Sequence, residues 1–161
     1  MFTKEERSRF SYWFAHWCAF QMTALNCKGW KVKYFLHDIE KPFMRLVCEY
    51  KKVQKFHRTH NNHHPEWLEY KLSKDKHLTE EKVKSWLDKY DFKATAVDWE
   101  CGHFTKIAQP RNAYQEYNAV LDYDNFSKKY PTVTRNCYNE FSRRMMDAIK
   151  ELGLYPIAPK S

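Results

Sequence analysis

Five of the eight histidines in this 161-residue chain fall between His37 and His64, in two groups. The first is a His37-Asp38 pair inside the run Leu36-His37-Asp38-Ile39-Glu40-Lys41-Pro42. The second is His57-Arg58-Thr59-His60-Asn61-Asn62-His63-His64-Pro65-Glu66, opening twenty residues after His37. Neutral imidazoles and carboxylates are the ligands that suit first-row divalent ions. A further histidine, His16, lies 21 residues before His37 in an apolar stretch. The chemistry these residues point to is a metal site holding one or two divalent transition ions, drawn from Mn, Fe, Co, Ni or Zn.

Adjacent residues cannot share one helical face, so His37 and Asp38 converge on a cation only at a helix end or a distorted turn. His16 and a further carboxylate complete a four-ligand set that leaves room for water and substrate. His57 and His64 sit two turns apart on one helical face, with His60 between them, and can hold a second ion that shares Asp38. Two such ions ~3.5–4 Å apart clamp a phosphoryl group and activate a water. The plainer alternatives are that His16 is a core residue among aromatics and that the later histidines form an exposed metal-binding tract.

These residues need helices to position them. Phe10, Trp13, Phe14, Trp17, Phe20 and Ala24 recur at helical spacing, and His16 shares the edge of that stripe. A short helix over residues 31–36 delivers the His-Asp pair. Pro42 suits the first turn of a third helix, which carries Phe43, Leu46, Val47, Tyr50 and Val53, then His57, His60 and His64, until Pro65 ends it. A helix follows over about residues 66–76, and Thr79 caps another that runs to Tyr90. Residues 92–107 read as a helix with Val97, Cys101, Phe104 and Ala108 on one stripe and Asp98 beside it. Residues 109–131 are ambiguous, with room for a hairpin around 109–125. A last helix spans about 132–152, with Val133, Cys137, Phe141, Met145 and Ile149 inward and Gly153 as its stop.

Composition bounds the class. Only three glycines and six prolines occur, while 43% of residues are hydrophobic, which suits an all-α bundle of one domain over 1–161. The metal-site core is expected within about residues 10–105. No apolar run approaches the ~18 residues of a membrane helix. Five widely spaced cysteines and no secretory signal pattern are read as free thiols in the cytoplasm. The net charge of +8 suits anionic partners, either a small-molecule phosphate or nucleotide or a nucleic acid, although the lysines are dispersed along the chain. Nothing in the sequence indicates an oligomeric state.

The run Leu36-His37-Asp38-Ile39-Glu40-Lys41-Pro42 resembles the L-H-D-I-G-K-P signature of the HD-domain superfamily of metal-dependent phosphohydrolases, with Glu40 where glycine is usual. The pattern His57-x3-Asn61-x-His63-His64-Pro65-Glu66, followed by Asp98-Trp99, resembles an uncharacterised bacterial and phage branch of that superfamily. The resemblance implies an HD-domain-like helical bundle whose ligands are His16, His37, Asp38 and a final Asp98, with Asp122, Asp124 and Asp147 as competitors for that last place. It implies a second ion held by His57 and by His63 or His64. A helix unbroken to His64 favours His64, and a break near Asn61-Asn62 favours His63. Asp38 and Lys41 are then the catalytic pair. Lys41, Arg58 and His60 face the substrate, and Asn61 and Glu66 steady the imidazoles. Surface cations, a helix cap and ordinary first-turn charge are the alternative roles of Lys41 and Arg58, Asn61 and Glu66.

The function this implies is hydrolysis of a nucleotide or other phosphate ester through a metal-activated water. Two others stand beside it. One is an HD-type di-iron oxygenase that cleaves C–C or C–P bonds, and the other is a non-catalytic, phage-type protein that binds a nucleotide or RNA.

Overall fold

Hydrophobic stripes at helical spacing and few chain-breaking residues produce an all-α structure. The computed structural model describes residues 4–27, 31–106 and 110–155, with side chains from Phe10 onward. Among these residues there are nine α-helices, one 3-10 helix and no strand. In order they are α1 (Lys4–Asn26), the 3-10 helix (Val32–Leu36), α2 (Glu40–Met44), α3 (Tyr50–His60) and α4 (Pro65–Lys74). Then come α5 (Glu80–Lys89), α6 (Phe92–Thr105), α7 (Ala113–Val120), α8 (Tyr123–Lys129) and α9 (Arg135–Glu151). No described helix is long and apolar enough to cross a membrane.

α6 is the axis of the packing, lying against α1, α7 and α9. It buries residues all round its circumference, among them Ala96, Val97, Trp99 and Cys101. That pattern belongs to a helix enclosed by others. Phe20 and Ala24 of α1 and Phe141, Met145 and Ile149 of α9 close the core around it. Thr79 and Thr134 cap α5 and α9 through their side chains, accepting from Lys82 N and Cys137 N.

Two expectations are corrected, and the ambiguous stretch is resolved. Its described residues form two helices and no hairpin: Asn112 and Gln115 make a reciprocal capping box that starts α7, and Asp122 accepts from Asn125 N to start α8. Phe104 is exposed rather than part of the α6 core stripe, and Ala108 lies outside the described residues. The single helix from Pro42 to His64 is instead α2 and α3, with a turn after Met44 and a second break at Asn61. Phe43, Leu46 and Val47, expected inward, are exposed. A helix rises 1.5 Å per residue, so an unbroken one would hold residue 57 more than ~20 Å along the axis from residue 42. Only a chain reversal brings His57 back to Asp38.

Candidate metal centre

Asp38 organises the site. It follows the 3-10 helix with φ of 60°, in the left-handed region that Asp tolerates better than most L-residues. Its carbonyl accepts from Lys41 N at 3.1 Å and from the Trp13 indole at 2.9 Å, which pins the turn to α1. This backbone reversal lets the side chains of neighbours 37 and 38 face the same space. His37 Nε2 lies 3.5 Å from Asp38 Oδ1, and both side chains are buried. The His37 ring stacks on Phe20 at 3.6 Å, so core packing sets its orientation.

Two groups of ligand atoms meet on this carboxylate. On one side, α1 supplies His16, whose Nε2 is 3.0 Å from Asp98 Oδ1 and 3.8 Å from Asp38 Oδ2. His37 Nε2 is 3.6 Å from the same Asp98 oxygen. Asp98 therefore stands with His16, His37 and Asp38, while Asp122 caps α8 and Asp147 pairs with Arg143. Behind His16, its Nδ1 faces Thr105 Oγ1 at 3.4 Å and Cys101 Sγ at 3.5 Å. On the other side, His57 Nε2 is 2.9 Å from Asp38 Oδ1 and 2.7 Å from His64 Nε2. His57, His63 and His64 each offer a nitrogen within 4.8 Å of the others'. The break at Asn61 thus brings in both of the adjacent histidines rather than selecting one. His63 is held from behind, as Thr95 Oγ1 donates to its carbonyl at 2.7 Å.

The residue missed by sequence reasoning is Glu40, read there as a departure from a glycine motif. Its Oε1 accepts from His57 Nδ1 in a short hydrogen bond and from Asn61 Nδ2 at 2.8 Å. A carboxylate on Nδ1 fixes the tautomer that leaves Nε2 free to ligate. The signal was available in the charge of Glu40, two residues past the His-Asp pair, but its partner lies 17 residues on, across a turn. Asn61 takes part in the same contact. Glu66 does not: its carboxylate pairs with Arg58 at 3.8 Å and Lys129 at 3.2 Å, and no imidazole bonds to it among the described residues. His60 is also corrected. Its ring is exposed, stacks on Phe56 at 4.0 Å, and lies outside the cavity.

The electrostatics follow from this crowding. Burial opposes the charge on Asp38, yet His37, His57 and Lys41 outweigh it and hold the carboxyl well below the ordinary range. Burial likewise opposes charge on Asp98, and His16 and His37 reverse the outcome. Burial pushes His63 down to about 3, with His37 adding to the effect. Burial and the neighbouring His63 lower His64 as well. His57 moves the other way, because Asp38 and Glu40 overcome the effect of burial. Asp38, Asp98, His63 and His64 are thus kept in the forms that bind cations, while a cation at His57 has to displace a proton.

A direct test of fit is the state of the buried atoms. Among the described residues, His37 Nε2, Asp38 Oδ1 and His63 Nε2 are buried without a hydrogen-bond partner. Buried polar atoms are ordinarily satisfied, and a divalent cation would relieve His37 Nε2 and Asp38 Oδ1, which lie 3.5 Å apart with the His63 ring beside His37. Buried His and Asp groups are therefore positioned to hold a metal ion. The site opens into a cavity of about 270 Å³ lined by His16, Asp38, His57, His64 and Asp98, with Lys41, Arg45, Arg58, Lys106 and Lys129 also on its walls. Lys41 Nζ donates to Asp38 Oδ2 at 2.5 Å.

No family model, curated protein or solved structure matches this chain.

Proposed function

We propose that this protein is a metal-dependent phosphohydrolase of the HD-domain kind, acting on a nucleotide or another phosphate ester. The observation that carries the reading is the sharing of one buried carboxylate. Asp38 lies between a His16–His37–Asp98 group and a His57–His63–His64 group, at the edge of a cavity with basic walls. Nitrogen and oxygen donors of this kind suit two ions drawn from Mn, Fe, Co, Ni or Zn. When bound, such ions supply Lewis acidity and lower the pKa of water.

The chain's own residues do the rest. Asp38 places its two oxygens toward the two histidine groups, and its negative charge offsets the cations. Glu40 and Asn61 hold the His57 ring so that Nε2 faces inward. Lys41 sets a positive charge beside Asp38 on the cavity side, where charge grows on the phosphoryl oxygens. Arg45 and Arg58 add cations to the wall, which draws an anionic substrate in and orients it. This placement of fixed cations at the cavity favours phosphate-ester hydrolysis over oxidative C–C cleavage.

Metal content measured with turnover on a panel of nucleotides and simple phosphate esters tests the reading. Two ions per chain, phosphate release, and its loss in Asp38→Ala with the helical circular-dichroism signal retained are the expected results. Full metal loading with no phosphate release from any substrate would overturn it. Asp38→Ala turning over at the parent rate would do so equally.

A further inference from the structure

α1 carries no Lys, Arg, Asp or Glu from Phe10 to Leu25. A helix this apolar is ordinarily covered on every side. Its inner face is satisfied, with Phe20, Thr23 and Ala24 buried. Its outer face is largely exposed: Phe14, Met22 and Leu25 are each more than half exposed, at spacings that put them on one stripe centred on the half-buried Cys18. Ser11, one turn before Phe14, and Ala15, just after it, lie on the same face and are small enough to admit a second helix closely. The stripe continues sideways through touching rings, from Phe10 and Trp13 to Phe14 and Trp17, and on to Phe35 of the 3-10 helix. Val32, Phe35 and Leu36 there are also more than half exposed.

We infer that this face is the two-fold interface of a homodimer, α1 packing against α1 of a second copy. Two quantities select that occupant. With Phe10, also more than half exposed, seven large apolar side chains offer on the order of 700 Å², given 150–250 Å² for a whole aromatic side chain. That exceeds the ~300–600 Å² patch usual on monomers and comes close to the ~800 Å² each partner contributes to a stable interface. Charge decides the rest. The chain carries +8, so two copies meeting elsewhere oppose like charges, whereas the uncharged segment from Phe10 to Leu25 lets them approach without that penalty. An isologous contact uses one patch twice and needs a stripe complementary to itself, which alternating large and small residues along one helix provide. Cys18, at the middle of the stripe, then faces its own counterpart.

Sedimentation velocity on the full chain across ~1–100 µM tests this independently of any activity. A species of twice the 19.7 kDa chain mass is expected, reduced to monomer in Phe14→Glu/Met22→Glu with an unchanged helical signal. If that variant fails to fold, the unsubstituted protein decides by crosslinking with a short bis-maleimide and peptide mapping. A Cys18–Cys18 link supports the interface, and crosslinked dimer without it overturns the assignment. Monomer at every concentration also overturns it, as does a dimer that survives the double substitution. Monomer that floats with anionic phosphatidylserine vesicles overturns it too and assigns the face to a membrane surface.

Discussion

Replacing Glu40 with alanine should weaken divalent-ion binding by about 10–100-fold, the range for losing a carboxylate behind a ligating imidazole. In this protein Glu40 Oε1 takes hydrogen bonds from both His57 Nδ1 and Asn61 Nδ2, and His57 is the point where α3 reaches Asp38. Without the carboxylate, His57 is free to rotate or to move its proton to Nε2, the atom 2.9 Å from Asp38 and 2.7 Å from His64. Asn61 remains, 2.7 Å from Nδ1, and its amide can turn its oxygen toward that N–H. That substitution places the expected loss toward the tenfold end, about 1.4 kcal/mol. Glu40→Gln keeps an acceptor but not the charge and should fall between the two. The assay is competition for Zn or Mn between protein and a chromophoric chelator at pH 7, beside thermal unfolding of the metal-free proteins. Glu40 is partly exposed, so melting should move little. Metal binding within twofold of the parent in Glu40→Ala would refute the positioning role. A large drop in metal-free stability would show that Glu40 serves the fold instead.

Lys41→Ala should keep its metal and its stability but lose on the order of a hundredfold in turnover, as seen for other donors that stabilise transition-state charge; an unchanged rate in steady-state assays counts against its role. Phe141→Ala should cost about 3–5 kcal/mol in denaturant unfolding, because the ring is fully buried against Tyr90, Phe92 and Phe126. The metal-free protein should lose stability as pH falls from 7 to 5. Unfolded His63 takes up a proton near 6.5 while the buried ring waits until about 3, so the unfolded chain binds more protons in that window. His64 acts in the same direction. His57, shifted upward, contributes stability below 6.5 that is lost as pH rises through its folded value, and so opposes them. The depressed Asp38, Asp98 and Glu40 contribute stability that falls away only below their ordinary values near 4. A denaturant midpoint that is level or rises on acidification would contradict the sign, and His63→Gln should flatten the slope.

The sequence by itself determined the helical class, since scarce glycine and apolar residues at three- and four-residue spacing leave little else for the backbone to do. It also determined helix starts wherever the signal is local: Thr79 and Thr134 reach N–H groups three residues on. The gathering of His16, His37, Asp38, His57 and Asp98 was legible through motif and order. Tertiary structure alone decided the rest. The break after Met44 was invisible because Phe43, Leu46 and Val47 keep helical spacing although they face outward, and spacing does not reveal which side the core lies on. The roles of Glu40 and Glu66 were misjudged for one reason. Each depends on a partner across a chain reversal, and local pattern carries no information about distances set by reversals. The αL turn at Asp38, pinned from α1 by Trp13, converts two neighbours that a helix would point apart into one ligand pair, and its geometry is set by packing between segments 25 residues apart.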